Sequence, residues 1–164
     1  MPTIELTTEI NAPIERCFLL SLSVDLHKMS TEETKETAIA GVTSGIMKLN
    51  DTVTWRAKHF GVYQKMTNKI SSYIYPTYFV SEMVRGTFKK IYHQHFFNEL
   101  NGKTIMTDNF DFEAPFGFIG ELFSKIVLID YMQGFLEKRN QTIKQIAEGN
   151  EWGKILSMKA VSNE

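Results

Sequence analysis

The sequence predicts an α+β fold: a curved antiparallel sheet of about seven strands wrapped around a long C-terminal helix, with two short helices after the first strand. Three observations predict it. Strand-like stretches follow one another from 52 to 113, and the breaks between them hold Gly61, Pro76, Gly86 and Asn101-Gly102. Sequential strands with short links form an antiparallel meander. The run 118–148 keeps helical spacing instead. A curved sheet that grips one long helix leaves a cavity between the two.

Residues 3–10 alternate apolar with polar, and Ile4, Leu6 and Ile10 share one face of a half-buried strand. Asn11-Ala12-Pro13 stops it, with Asn11 or Ala12 as the cap and Pro13 in the first helical turn. Ile14, Cys17 and Phe18 recur at helical spacing, which predicts helices over 13–20 and again near 24–29. A strand is expected over 35–41, followed by turn formers to Asp51. Strands are expected over 52–60, 62–74, 77–85, 87–98 and 103–113.

Ile119, Leu122, Phe123, Ile126, Tyr131, Phe135, Arg139, Ile143 and Ile146 form the inward stripe expected of the long helix. A bend near Gly134 and a stop at Gly149 are expected. Residues 1–149 then make one domain, and 150–164 a tail of weak helix or irregular chain. The loop 42–51 and Phe116-Gly-Phe118 are the expected lids.

The chain has 164 residues, 43% of them hydrophobic and 23% charged, with a formal net charge of −1. That suits one globular domain with a real core. The charge balance excludes nucleic acid as a general partner, since backbone binding needs a Lys/Arg excess. Cys17 stands alone, which fits a reducing compartment. Neither a secretory signal nor an apolar run long enough to span a membrane is apparent. A cytoplasmic protein without membrane insertion is therefore expected.

Strand alternation selects the side chains that face the cavity. In 52–60 the odd positions, with Val53, Trp55, Ala57 and His59, form the apolar face. In 62–70 the even positions do, with Gln64, Met66 and Ile70. In 77–85 the expected inward set is Phe79, Ser81 and Met83.

The last hairpin is the most informative. Asn101-Gly102 is a type I′ turn signal. It sets Leu100 opposite Lys103, His95 opposite Asp108, His93 opposite Phe110, Phe97 opposite Met106 and Ile91 opposite Phe112. All of these inner pairs lie on the more apolar face, and a slip of one residue would destroy the agreement. An inward His95–Asp108 pair follows, close enough for imidazole and carboxylate to meet.

No metal site is expected. His93-x-His95 with Glu99 has the look of a ligand run, but Glu99 sits at the turn and no later strand supplies a further histidine. No nucleophile elbow and no phosphate-binding glycine loop occurs, so no cofactor is expected.

A family resemblance rests on these segments: Ala12-Pro-Ile-Glu-Arg-Cys-Phe18, Ala40-Gly-Val-Thr-Ser-Gly45, Val53-Thr-Trp-Arg-Ala-Lys-His-Phe-Gly61, Phe79-Val-Ser-Glu-Met-Val-Arg-Gly86, His93-Gln-His-Phe-Phe97, Asp108-Asn-Phe-Asp-Phe112 and Pro115-Phe-Gly117. Through them the chain, to about residue 149, resembles the SRPBCC superfamily of START-like, helix-grip proteins. It is most similar to the bacterial branch related to polyketide cyclase/dehydratase and lipid-transport proteins, some of them labelled cell division inhibitor. Ser81 departs from an acid found in many relatives.

The resemblance implies the helix-grip fold and leaves three functions open. The first is binding of a small hydrophobic or amphipathic molecule in the cavity. Trp55, Gln64, Met66, Phe79, Met83, His93, Met106, Phe110 and Phe112 are its expected contacts. The second is a cyclase or dehydratase, with His95 or His59 moving protons and Asp108 tuning the imidazole. The third is a protein-interaction role with an unknown partner.

Overall fold

The computed structural model describes residues 1–114, 123–158 and 161–163. The element order is β1 (Thr3–Ile10), α1 (Ile14–Ser21), α2 (Val24–Ser30), a 3₁₀ turn (Glu32–Thr34), β2 (Thr37–Ser44), β3 (Thr52–His59), β4 (Val62–Ile74) and β5 (Tyr78–Arg85). Then come β6 (Lys90–Leu100), β7 (Lys103–Glu113), α3 (Phe123–Glu148), α4 (Trp152–Leu156) and β8 (Val161–Asn163). One sheet of eight strands, in the order β1-β7-β6-β5-β4-β3-β2-β8, carries the fold. The expected architecture is present: a curved antiparallel sheet, a long C-terminal helix and two short helices after β1.

Local chemistry accounts for the elements. Pro13 caps α1 rather than starting it, and its carbonyl accepts the Cys17 N–H. Ser23 caps α2, its hydroxyl accepting the Leu26 N–H at 3.1 Å. Asn101 and Gly102 both have positive φ, as a type I′ turn requires. The β6–β7 register is the expected one at every pair from Ile91↔Phe112 to Leu100↔Lys103. Bulges in β2 and β4 break the ladder and help the sheet to curve.

The core has two parts. One lies under α1 and α2, where Phe18 meets Tyr73, Tyr75, Phe79 and Phe97 edge-on at 5.2–5.5 Å between centroids. The other joins Ile4, Ile91, Phe110 and Phe112 to Leu128 and Leu136 of α3.

Two expectations about the C-terminal part need correction. Ile126 is 56% exposed, and Leu128 takes the inward position near the start of α3. Residues 128, 132, 136, 139, 143 and 147 make the stripe, because 3.6 residues per turn rotates Ile126 away from them. α3 runs unbroken from Phe123 to Glu148. The segment 150–164 adds an eighth strand, β8, which pairs with β2. Ile155 of α4 is buried, and the Arg16 guanidinium sits 3.9 Å over the Trp152 ring. The lids expected at Phe116 and Phe118, with Ile119 and Leu122, lie outside the described residues.

Candidate functional site

A cavity lies between the inner face of the sheet and α3. Its volume is about 160 Å³. Trp55 and His59 of β3, Gln64 and Met66 of β4, Phe79 of β5, His93 and His95 of β6 and Phe110 of β7 line it, as expected. Leu128, Tyr131, Phe135, Leu136 and Arg139 of α3 close the other side. The exposed lining residues Phe60, Lys65 and Thr87 mark its open end. The 42–51 loop contributes Met47, which is buried on the closed side.

Three expected contacts are not on the wall. Met106 is fully buried in the core under α1, where its sulfur accepts from the Ser21 hydroxyl at 3.5 Å. Phe112 is buried between Phe88 and Phe110, at 6.2 and 5.6 Å. Met83 turns into the space beside Gly86, where an added Cβ would come within 2.5 Å of its sulfur. Parity placed all three on the inner face correctly. It does not say how far along each strand the cavity extends.

Asp108 is fully buried behind the histidines. Its Oδ1 accepts from Nε2 of His93 at 2.8 Å. Nδ1 of His95 is 2.7 Å from the same oxygen but out of line, and makes no hydrogen bond. The expected cross-strand pair exists in the ladder, yet the hydrogen bond runs diagonally to His93. From α3, Asn140 Nδ2 donates to Oδ2 at 2.7 Å. Arg139 Nη1 stands 3.8 Å from Oδ1. Arg139 also donates to the Asn140 side-chain oxygen at 3.2 Å and the Ser21 carbonyl at 3.1 Å. His93 lies tilted against His95 at 3.8 Å between centroids, and His95 stacks on Phe79 at 4.1 Å.

The charges follow from this geometry. Burial alone would raise the Asp108 carboxyl, but the His93 hydrogen bond and the adjacent His95 nitrogen hold it well below the usual range. Burial pushes the His93 imidazole down against the pull of Asp108. It pushes His95 well down, and neighbouring His93 adds to the effect. The cluster is thus an anionic Asp108 balanced by the Arg139 cation, with two neutral imidazoles in front. His93 Nε2 carries the proton given to Asp108, so its Nδ1 carries the lone pair.

His93, His95 and Asp108 bring three donor atoms within 4.8 Å of one another. They are the residues that could hold a metal. The expectation of no metal rested on the want of a third histidine and overlooked Asp108, which the hairpin supplies. The stronger objection is electrostatic. Arg139 already balances the carboxylate, and a divalent cation there would face its buried charge.

A second polar cluster, of which only His59 was expected, lines the α2 side of the cavity. Glu36 is buried and accepts from His27 Nε2 at 3.1 Å. His59 Nδ1 lies 2.7 Å from the Tyr131 hydroxyl. Burial would raise Glu36, but His27 outweighs it and holds the carboxyl below its ordinary value. Burial lowers His59 and raises Tyr131. For Arg139 a signal existed, an arginine within an apolar helical stripe. For Glu36 and Asn140 none did, because one precedes a strand and the other is one residue off the stripe.

No family model matches this chain, and no curated protein matches it. Solved structures with the same fold are many. The protein TTHA0849 from Thermus thermophilus superposes with a TM-score of 0.68 at 16% identity, over 87% of this chain and 97% of that one. Ginseng major latex-like protein 151 from Panax ginseng gives 0.62 at 15%, over 90% and 98%. A START superfamily protein from Mycobacterium smegmatis gives 0.60 at 13%, over 86% and 98%. These likenesses establish the helix-grip fold, as the SRPBCC resemblance implied.

Proposed function

We propose that the chain binds a small hydrophobic or amphipathic molecule in the cavity between the sheet and α3. The observation that carries this reading is a largely apolar cavity with a limited set of polar side chains facing it, two buried carboxylate–histidine clusters among them, the usual division of labour in small-molecule sites. Trp55, Met66, Phe79 and Phe110 supply apolar wall. His93, His95 and Gln64 orient a polar end. Burial drives association: removing ~200 Å² of ligand surface contributes about 5 kcal/mol at ~25 cal/mol per Å², before association costs. A cytoplasmic setting suits the single buried Cys17. No described helix is long and apolar enough to cross a membrane, and the charge balance supports no nucleic-acid role.

Mass spectrometry of the purified protein, native and then denatured with organic extraction, tests the reading. A stoichiometric organic molecule released on denaturation is expected. A bare-chain mass, together with no saturable uptake of apolar compounds, would overturn it.

One observation favours a second reading, a cyclase or dehydratase acting on a carbonyl-bearing substrate. Asp108 orients His93 so that a ring nitrogen with a free lone pair belongs to a cavity-lining side chain, the arrangement of a general base. His27, His59 and His95 are the other imidazoles of the cavity. Under this reading His93→Gln abolishes turnover of aromatic ketones or acyl compounds but only weakens their binding. Equal loss of both would leave binding alone.

A further inference from the structure

The two clusters differ in how their carboxylates are balanced. Asp108 has a fixed cation, Arg139, within 3.8 Å. Glu36 is 6% exposed and lines the cavity, and His27 is its only ion-pair partner among the described residues. An imidazole is not a fixed cation. Lys65 also lines the cavity, but it stands exposed at the open end and makes no ion pair with Glu36.

Aromatic rings gather about the two histidines on this side of the cavity. His27 lies on Trp55 at 4.3 Å between centroids, and Phe135 is 6.4 Å from His27 and 6.1 Å from His59. Tyr131 is edge-on to His59 at 5.8 Å. All of them line the same cavity. A buried carboxylate among aromatic rings attracts an organic cation twice, through its own charge and through the ring quadrupoles. It repels an anionic head and gives a neutral one only an ordinary hydrogen bond.

We propose that the α2 side of the cavity is a site for the ammonium head of an amphipathic amine, with Glu36 as its counter-ion and Trp55, Phe135 and Tyr131 as its aromatic surround. The proposal rests on the ligand-binding reading above and narrows its ligand class. The apolar tail of the amine lies along the wall formed by Met66, Phe79 and Phe110.

The test is competition against a neutral fluorescent dye, N-phenyl-1-naphthylamine, by decylamine, decanol and decanoate. The three share a tail and differ in head group. At pH 8 an alkylammonium is charged and decanoate is ionised. Decylamine is expected to displace the dye at a concentration about tenfold lower than decanol, with decanoate the weakest. In Glu36→Gln the amine-to-alcohol ratio is expected to fall to about one. Equal competition by amine and alcohol in the wild type, or a preference that survives Glu36→Gln, would overturn the amine site and leave the cavity reading standing. Failure of the dye and of all three compounds to bind would overturn both. If Glu36→Gln does not fold, the wild-type order and Phe135→Leu decide. Phe135→Leu should cut the amine preference about threefold, and an unchanged preference would overturn the aromatic surround.

Discussion

The two ends of the cavity solve the same problem differently. At the β6–β7 end a buried carboxylate is enclosed by its own protein: His93, Asn140 and Arg139 each supply N–H groups or charge. At the α2 end Glu36 has His27 as its ion-pair partner among the described residues, with His59 and the Thr31 hydroxyl also favouring its charge, and no fixed cation. The first arrangement is closed and charge-balanced, so it is built for stability and for aiming the histidines. The second leaves negative charge facing the cavity, which is the charge the proposed amine site would use. A buried charge is therefore not by itself a mark of function; what matters is whether the protein completes its balance.

The sharpest way to break this contrast is to remove Asp108. Asp108→Asn leaves Arg139 buried without a counter-charge and should cost about 3–5 kcal/mol in urea unfolding. Adding Arg139→Met should then cost less than the sum of the two single losses, since the partners are coupled. A loss below about 1 kcal/mol, or strict additivity, would show that the β6–β7 end is not a closed unit.

Acid should act next, in one direction. His93 and His95 are held below their ordinary value of 6.5 by burial. As the pH falls below 6.5 the unfolded chain takes up protons first. Their contribution to stability is thus complete above 6.5 and is lost as the pH falls through their lowered native values. Asp108 acts in the same direction, complete above 3.8 and lost on further acidification. The urea midpoint should decline from about pH 7 to about pH 5, and His95→Gln should flatten that decline. A midpoint constant over this range would refute the neutral, buried assignment.

Glu36→Gln should cost less than Asp108→Asn, roughly 1–2 kcal/mol, because it removes one hydrogen bond to an imidazole and strands no fixed cation. Equal costs at the two ends would erase the contrast. Tyr131→Phe should be smallest, at most about 1 kcal/mol by thermal unfolding, since only the contact with His59 is lost.

Much of this architecture was legible because independent signals agreed. Asn101-Gly102 set a turn, the turn set a register, and that register put apolar residues on one face of both strands. His95 opposite Asp108 followed. The diagonal hydrogen bond to His93 did not, because strand pairing places Cα atoms and not the reach of a rotated ring. Met83, Met106 and Phe112 show the same limit, since a position on the inner face can point into core as well as cavity. Glu36 and Asn140 were out of reach, because each is polar only by residue type until α2 or α3 packs against it. β8 was equally hidden, since three residues carry too little pattern to separate a strand from a tail.

Ser81 gives the most direct experimental access to the proposed ligand cavity between sheet and helix. Ser81 is half-buried and lines that space, so Ser81→Phe should fill it. The measurement is a fluorescence titration of the wild type and of Ser81→Phe with N-phenyl-1-naphthylamine, with circular dichroism confirming that the variant is folded. Saturable one-to-one binding by the wild type and its loss in the folded variant are expected. Absence of saturable binding in the wild type, or binding that Ser81→Phe leaves intact, would contradict the cavity reading.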